Sequence, residues 1–113
     1  MRRGELSFAN LSPPMGSDTA KRRPVVIVSN DSNNRSSATL TVLPVTSNVA
    51  RVYPFEVALA KGAGGLSKAS KVQAQQIRTI SRERISGKRI GALDAQAIAK
   101  LDAALRLHLA LDE

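Results

Sequence analysis

Arg23-Pro24-Val25-Val26-Ile27-Val28-Ser29 is the stretch that decides the fold. Four consecutive apolar residues, all β-branched and opened by a proline, make the strongest buried-strand signal in the chain. Upstream, residues 3–11 alternate around Leu6 and Phe8 as a short half-buried strand. Between the two lies Ser12-Pro13-Pro14-Met15-Gly16-Ser17-Asp18-Thr19-Ala20-Lys21-Arg22, whose prolines, glycine and small polar residues read as a loop. Loops of that length in compact domains are often functional.

Downstream, residues 30–37 read as a polar turn and 38–46 as an alternating strand, in which Pro44 must sit at an edge, a bulge or the strand's end. Residues 52–59 read as a strand with Tyr53, Phe55, Val57 and Leu59 on one face, and 61–65 as a flexible, glycine-rich loop tip. Residues 70–80 read as a further strand with a phase change near Gln76, 81–85 as one helical turn and 87–92 as a short closing strand. The end differs: Asp94 is a helix cap, and Ile98, Leu101, Leu105, His108 and Leu109 recur at helical spacing over about five turns. Five to seven short, mostly antiparallel strands followed by one packing helix predict an α+β fold, a small curled β-barrel capped by a C-terminal α-helix. At 113 residues the chain is read as a single domain, 1–113.

Composition excludes more chemistry than it admits. There is no cysteine, hence no disulfide, thiolate nucleophile or cysteine metal site, and the lone His108 cannot build a histidine metal centre or a paired-histidine ribonuclease site. No metal and no cofactor are therefore expected. No apolar run approaches the ~20 residues of a membrane span, and Met1-Arg2-Arg3-Gly4-Glu5 is not followed by a signal-peptide core, so a cytoplasmic location is expected. The net charge of +8 is uneven: residues 1–18 are neutral, 19–93 carry +10, and 94–113 carry −2. A basic middle segment attracts polyanions through counterion release, whether nucleic acid or an acidic protein segment.

One constellation stands out. Arg23 opens the most buried strand, Thr46 closes the next, and Gly16-Ser17-Asp18 precedes the first. A guanidinium fork beside a hydroxyl suits a phosphate, although an arginine before a strand is most often a solvated end. His108, on the apolar side of the helix, reads as a packed or interface histidine. Tyr53 and Phe55 read as core filling, with base stacking as the alternative. Arg78, Arg82, Arg84, Lys88 and Arg89 form a basic cluster, read either as solvated surface or as a wall that tracks an RNA backbone.

Three ordered motifs carry a resemblance. Arg3-Gly4-Glu5, Gly16-Ser17 and Arg23-Pro24-Val25-Val26-Ile27-Val28-Ser29-Asn30-Asp31 are followed by Leu43-Pro44-Val45-Thr46-Ser47-Asn48 and by Gln76-Ile77-Arg78-Thr79-Ile80. Together they resemble the MazF/PemK toxin family over essentially the whole chain. The resemblance implies an SH3-like barrel, a homodimer, and a metal-independent endoribonuclease that cleaves single-stranded RNA at a short preferred sequence. In that chemistry a 2′-hydroxyl attacks its neighbouring phosphate, leaving a 2′,3′-cyclic phosphate and a 5′-hydroxyl. It implies catalytic roles for Arg23 and Thr46 and RNA contacts at Ser17 and Gln76, and the basic side chains of Lys21, Arg22 and Arg78 are expected to join them. It also implies inhibition by a cognate acidic antitoxin.

A guanidinium is a poor proton acceptor, so Arg23 is expected to stabilise transition-state charge, with Thr46 donating a hydrogen bond. The chain departs from the family at Ser7 (commonly tryptophan), Asn10 and Ala69 (commonly aspartate) and Gln75 (commonly glutamate), which bears on groove shape and sequence preference. The rival readings are a CcdB-like toxin that poisons gyrase by protein contact, and a barrel that binds nucleic acid without cutting it. Fold alone does not separate these.

Overall fold

The computed structural model describes residues 1–11 and 22–112; Ser17, Lys21 and most of the 12–22 loop lie outside them. Among the described residues seven strands, β1 (Glu5–Asn10), β2 (Arg22–Ile27), β3 (Thr39–Thr46), β4 (Glu56–Leu59), β5 (Ser70–Gln73), β6 (Arg78–Ser81) and β7 (Ile85–Ala92), form one antiparallel sheet. Two helices, α1 (Asp31–Ser36) and α2 (Ala95–Leu109), complete the α+β fold. Strand order is β4-β5-β3-β2-β1-β7, with β6 also on β3. The terminal strands of that order, β4 and β7, do not pair with each other among the described residues, so the sheet curls without closing. This is the small curled sheet with a C-terminal helix that the sequence predicts, and among the described residues it is not closed.

The unbroken apolar run has a simple cause. Val26 and Val28 pack into the core beneath α2, with Leu6, Leu43, Val45, Val57, Val72, Leu101 and Leu105. Val25 and Ile27 face a second cluster with Ala9, Leu11, Leu40, Val42 and Ile80. Because β2 is buried on both faces, neither set of side chains can be polar.

Strand β3 organises the rest. Its first half pairs with β6 (Thr39↔Ser81 to Val42↔Arg78) and its second with β5 (Val45↔Val72, Thr46↔Lys71). The Val28 N–H donates to Thr41 O at 2.9 Å, so odd residues of β3 bond toward β2 and even ones point the other way. Pro44 therefore turns its missing N–H to the point where β6 gives way to β5, at the 3₁₀ turn Ala74–Gln76. That junction needs no ladder donor, which is why a proline sits inside a central strand. The turn also splits the expected strand 70–80 in two.

Several other expectations are corrected. Residues 30–37 hold α1, capped by the Asn30 side chain, which accepts from the Asn33 N–H at 2.8 Å. Its buried Asn34 donates to Ser29 O at 2.8 Å, and Arg82 donates to the carbonyls of Asn34 and Ser37. A helix held by polar caps leaves no apolar period to read. Residues 61–65 are not a loose tip: Ala63–Gly65 form a 3₁₀ turn packed on β7. A Cβ on Gly65 would lie 2.3 Å from Ile90 O, and one on Gly91 2.2 Å from Gly64 O, so only glycine allows these backbones to meet. Tyr53 and Phe55 precede β4 rather than belonging to it. Helix α2 is capped by Asp94, which accepts from the Ala97 N–H at 2.8 Å, and its 15 residues make about four turns, not five. His108 lies beyond the core on its exposed end. No helix among the described residues is long and apolar enough to cross a membrane.

Candidate active site

Strands β2 and β3 pair antiparallel as Val25↔Pro44, Val26↔Leu43 and Ile27↔Val42. Continued by two residues, that register sets Arg23 opposite Thr46. By the phase of the ladder this is a non-hydrogen-bonded pair, the kind whose side chains stand closest and on one face. Both residues line a cleft of about 540 Å³ at the strand ends, with Phe8, Arg22, Ser47 and Lys68 also in its wall. The described lining holds three cations and no carboxylate.

The geometry of each group fits anion binding. Arg23 is half-buried, and its buried Nε has no hydrogen-bond partner among the described residues. A buried guanidinium donor without an acceptor is costly unless a ligand supplies one. The Thr46 hydroxyl oxygen accepts from the Asn48 N–H at 3.2 Å, so its own proton stays available to a ligand oxygen. Arg22 is held differently: its Nε donates to Ser86 Oγ at 3.1 Å, and its guanidinium lies 4.0 Å over the Phe8 ring. It walls the cleft as a positioned, more exposed charge.

The floor was invisible in the sequence. Ser67 and Lys68 reach the cleft because the Gly65/Ile90 and Gly64/Gly91 backbone contacts fold the 61–69 segment across the sheet end. The close pairing of small residues across two distant segments was the available signal, but it becomes visible only once β7 is placed.

Beside Thr46 stands a buried ion pair. Lys71, paired with Thr46 across β3 and β5, reaches Glu56 Oε1 at 2.9 Å and the Arg51 carbonyl. Glu56 also accepts from the Tyr53 N–H at 3.0 Å and from the Gln75 amide at 2.7 Å. Burial pushes the Glu56 carboxyl up, but these three donors more than offset it and hold it below its ordinary value. The pair thereby fastens the chain segment that follows Thr46.

Gln76 and Arg78 do not line the cleft in the single chain. Gln76 ends the 3₁₀ turn before β6, and Arg78 donates to Leu11 O at 3.5 Å. In the basic cluster, Arg82 serves α1, Arg84 donates to Asn10 O at 3.1 Å, and Arg89 pairs with Glu5 at 2.9 Å. Much of that cluster's hydrogen bonding is thus structural.

The comparisons with known proteins agree on one family. The family model described as "PemK-like, MazF-like toxin of type II toxin-antitoxin system" matches residues 2–109. A Mycobacterium tuberculosis protein named Endoribonuclease MazF9 is 47% identical over 116 residues, covering 98% of this chain and 98% of that protein. The Bacillus subtilis Endoribonuclease EndoA is 37% identical over 112 residues, covering 98% and 96%. Among solved structures, a mycobacterial endoribonuclease in complex with its cognate antitoxin superposes with a TM-score of 0.82 at 25% identity, covering 98% of this chain and 96% of that one.

Proposed function

This chain belongs to the PemK-like, MazF-like toxins of type II toxin–antitoxin systems, and from that premise we propose that it is a cytoplasmic, single-domain endoribonuclease cutting single-stranded RNA at the Arg23–Thr46 cleft. The observation that carries the reading is the meeting of those two side chains, from different strands, in one basic cleft.

The substrate supplies its own nucleophile. The 2′-hydroxyl oxygen forms a bond to phosphorus while the P–O5′ bond breaks; the 2′ proton departs and the 5′ oxygen takes one up. The products carry a 2′,3′-cyclic phosphate and a 5′-hydroxyl. Arg23 holds the non-bridging oxygens and stabilises their growing charge, and Thr46 donates its free hydroxyl proton to the same centre. Arg22 and Lys68 draw in the flanking phosphates. Ser17 and Lys21 lie outside the described residues; the proposed RNA contact of Ser17 rests on the family motif and that of Lys21 on its charge. For Gln76 and Arg78, which lie off the cleft, a role in RNA contact requires a groove completed by a second subunit.

The protein works as a homodimer. The end of α2 and the turn after it expose Leu107, Leu109 and Leu111 at 53%, 44% and 64%, apolar surface that a second copy can bury. The basic groove also suits an acidic antitoxin segment, which blocks RNA by occupying the same charges.

The test is cleavage of total RNA by the purified protein after exhaustive EDTA treatment, with sequencing of the cut ends. Cutting should persist at a short shared sequence and leave cyclic-phosphate ends. A strict magnesium requirement would overturn the mechanism, and salt-sensitive RNA binding without products would leave only a binding barrel.

A further inference from the structure

We infer that Tyr53, stacked on Phe55, is a platform for one base of the bound single-stranded RNA beside the cut phosphate, an inference that rests on the RNA-cleaving reading above. The two rings lie with centroids 5.4 Å apart and planes within 10° of parallel, yet Tyr53 remains 41% exposed. A chain with only three aromatics leaves one of them open to solvent, on a backbone that is locked in place. The Tyr53 N–H donates to Glu56 Oε1 at 3.0 Å and the Glu56 N–H donates to Tyr53 O at 2.8 Å. The buried Glu56–Lys71 pair anchors that clasp, and the His108 ring stands 6.1 Å from Phe55 behind the stack.

Position and charge both point to nucleic acid. Lys71 is the cross-strand partner of Thr46, and its Nζ lies 5.9 Å from the Tyr53 ring, so the platform is one strand away from the cleft. Arg51 donates to the Tyr53 hydroxyl at 3.1 Å, with its guanidinium 5.6 Å from the ring. Glu56, the carboxylate that accepts from the Tyr53 N–H, is buried and neutralised by Lys71. A fixed, exposed ring edged by the Arg51 guanidinium accepts a base on its π-face and the adjoining phosphate on its rim. A preformed two-ring stack adds a third ring with little ordering cost.

Tyr53 is the only tyrosine and the chain has no tryptophan, so its emission reports this one site. The probe is an RNA oligonucleotide carrying the protein's own cut sequence, with a 2′-deoxy sugar at the cut position. Titrating it into the protein should quench Tyr53 emission at least about twofold, saturating with binding. In cleavage of the all-ribose RNA, Tyr53→Ala should raise KM about tenfold, in the range of one lost base stack, with kcat nearly unchanged. Tyr53→Phe should restore KM, whereas Tyr53→Leu, which fills space without a π-face, should not. Cleavage with unchanged emission and an unaltered Tyr53→Ala KM would overturn the platform and leave the nuclease reading standing. Rescue by leucine as complete as by phenylalanine would reduce the ring to packing and overturn it as well. Emission that tracks protein concentration but ignores RNA would assign the face to a second copy. Failure to cut any RNA would overturn the nuclease reading itself.

Discussion

Arg23→Ala should lose at least about a hundredfold in kcat while keeping its fold, and Thr46→Ala should lose about tenfold or more. Removing one preorganised donor from a charge-stabilising site costs about 100- to 1,000-fold in well-studied hydrolases. Arg23 supplies a charged fork and Thr46 a single neutral donor, so the arginine carries the larger share. Neither belongs to the two apolar clusters, and both sit at strand ends, so little packing is lost. Arg23→Lys keeps the charge but not the fork and should remain severely impaired. His108→Ala should keep nearly all of its kcat, because that side chain is exposed and does not line the Arg23–Thr46 cleft. Initial rates on one RNA, with circular dichroism as the fold control, check all four. An active Arg23→Ala beside an inactive, folded His108→Ala would place the chemistry elsewhere.

The second large effect is on stability. The Lys71 and Glu56 side chains are 10% and 1% exposed. Lys71→Met strands the Glu56 carboxylate in that environment and should cost about 3 kcal/mol, the usual scale for breaking a buried pair from one side. Pairing it with Glu56→Gln should recover much of the loss, because no uncompensated charge remains.

The pH dependence follows from the sign of the shift. Glu56 is held below its ordinary value of 4.5, so its contribution is complete above that pH and is lost as pH falls through the lower, folded value. Asp31 shifts the same way, through the Arg3 N–H it accepts at 2.7 Å. Glu56→Gln should therefore flatten the acid limb of stability without abolishing it. In Lys71→Met the acid limb should begin at higher pH. Denaturant unfolding at fixed protein concentration, repeated across pH 3–7, measures these terms. A Lys71→Met variant as stable as the parent would show that the pair does not hold this segment.

What the sequence disclosed and what it concealed divide along physical lines. The Val25–Val28 run marked a doubly buried strand because burial on both faces excludes polar residues. Gln76 marked a real break because the side-chain period changes where β5 hands over to β6. Asp94 was readable because an N-cap is a local device. Arg23 and Thr46 were readable as strand ends, and their meeting follows from an antiparallel register that the sequence permits without specifying. Helix α1 was concealed because the Asn30 cap, the Asn34 bonds and Arg82 replace apolar contacts. The Ser67–Lys68 floor was concealed because it depends on glycine backbones meeting across distant segments. Tyr53 alternates with the residues of β4 yet lies outside the strand, since Glu56 bonds back to it and ends the ladder there.

The central claim is that the RNA's own 2′-hydroxyl is the nucleophile and that Arg23 and Thr46 stabilise what it forms. The most direct measurement compares two oligonucleotides of the same cut sequence, one all-ribose and one with a single 2′-deoxy sugar on the 5′ side of the cut. Both should bind with similar affinity; the first should be cleaved to a cyclic phosphate, and the second should remain intact. Cleavage of the deoxy substrate at a comparable rate would mean that water or a protein group attacks instead, and would contradict the account.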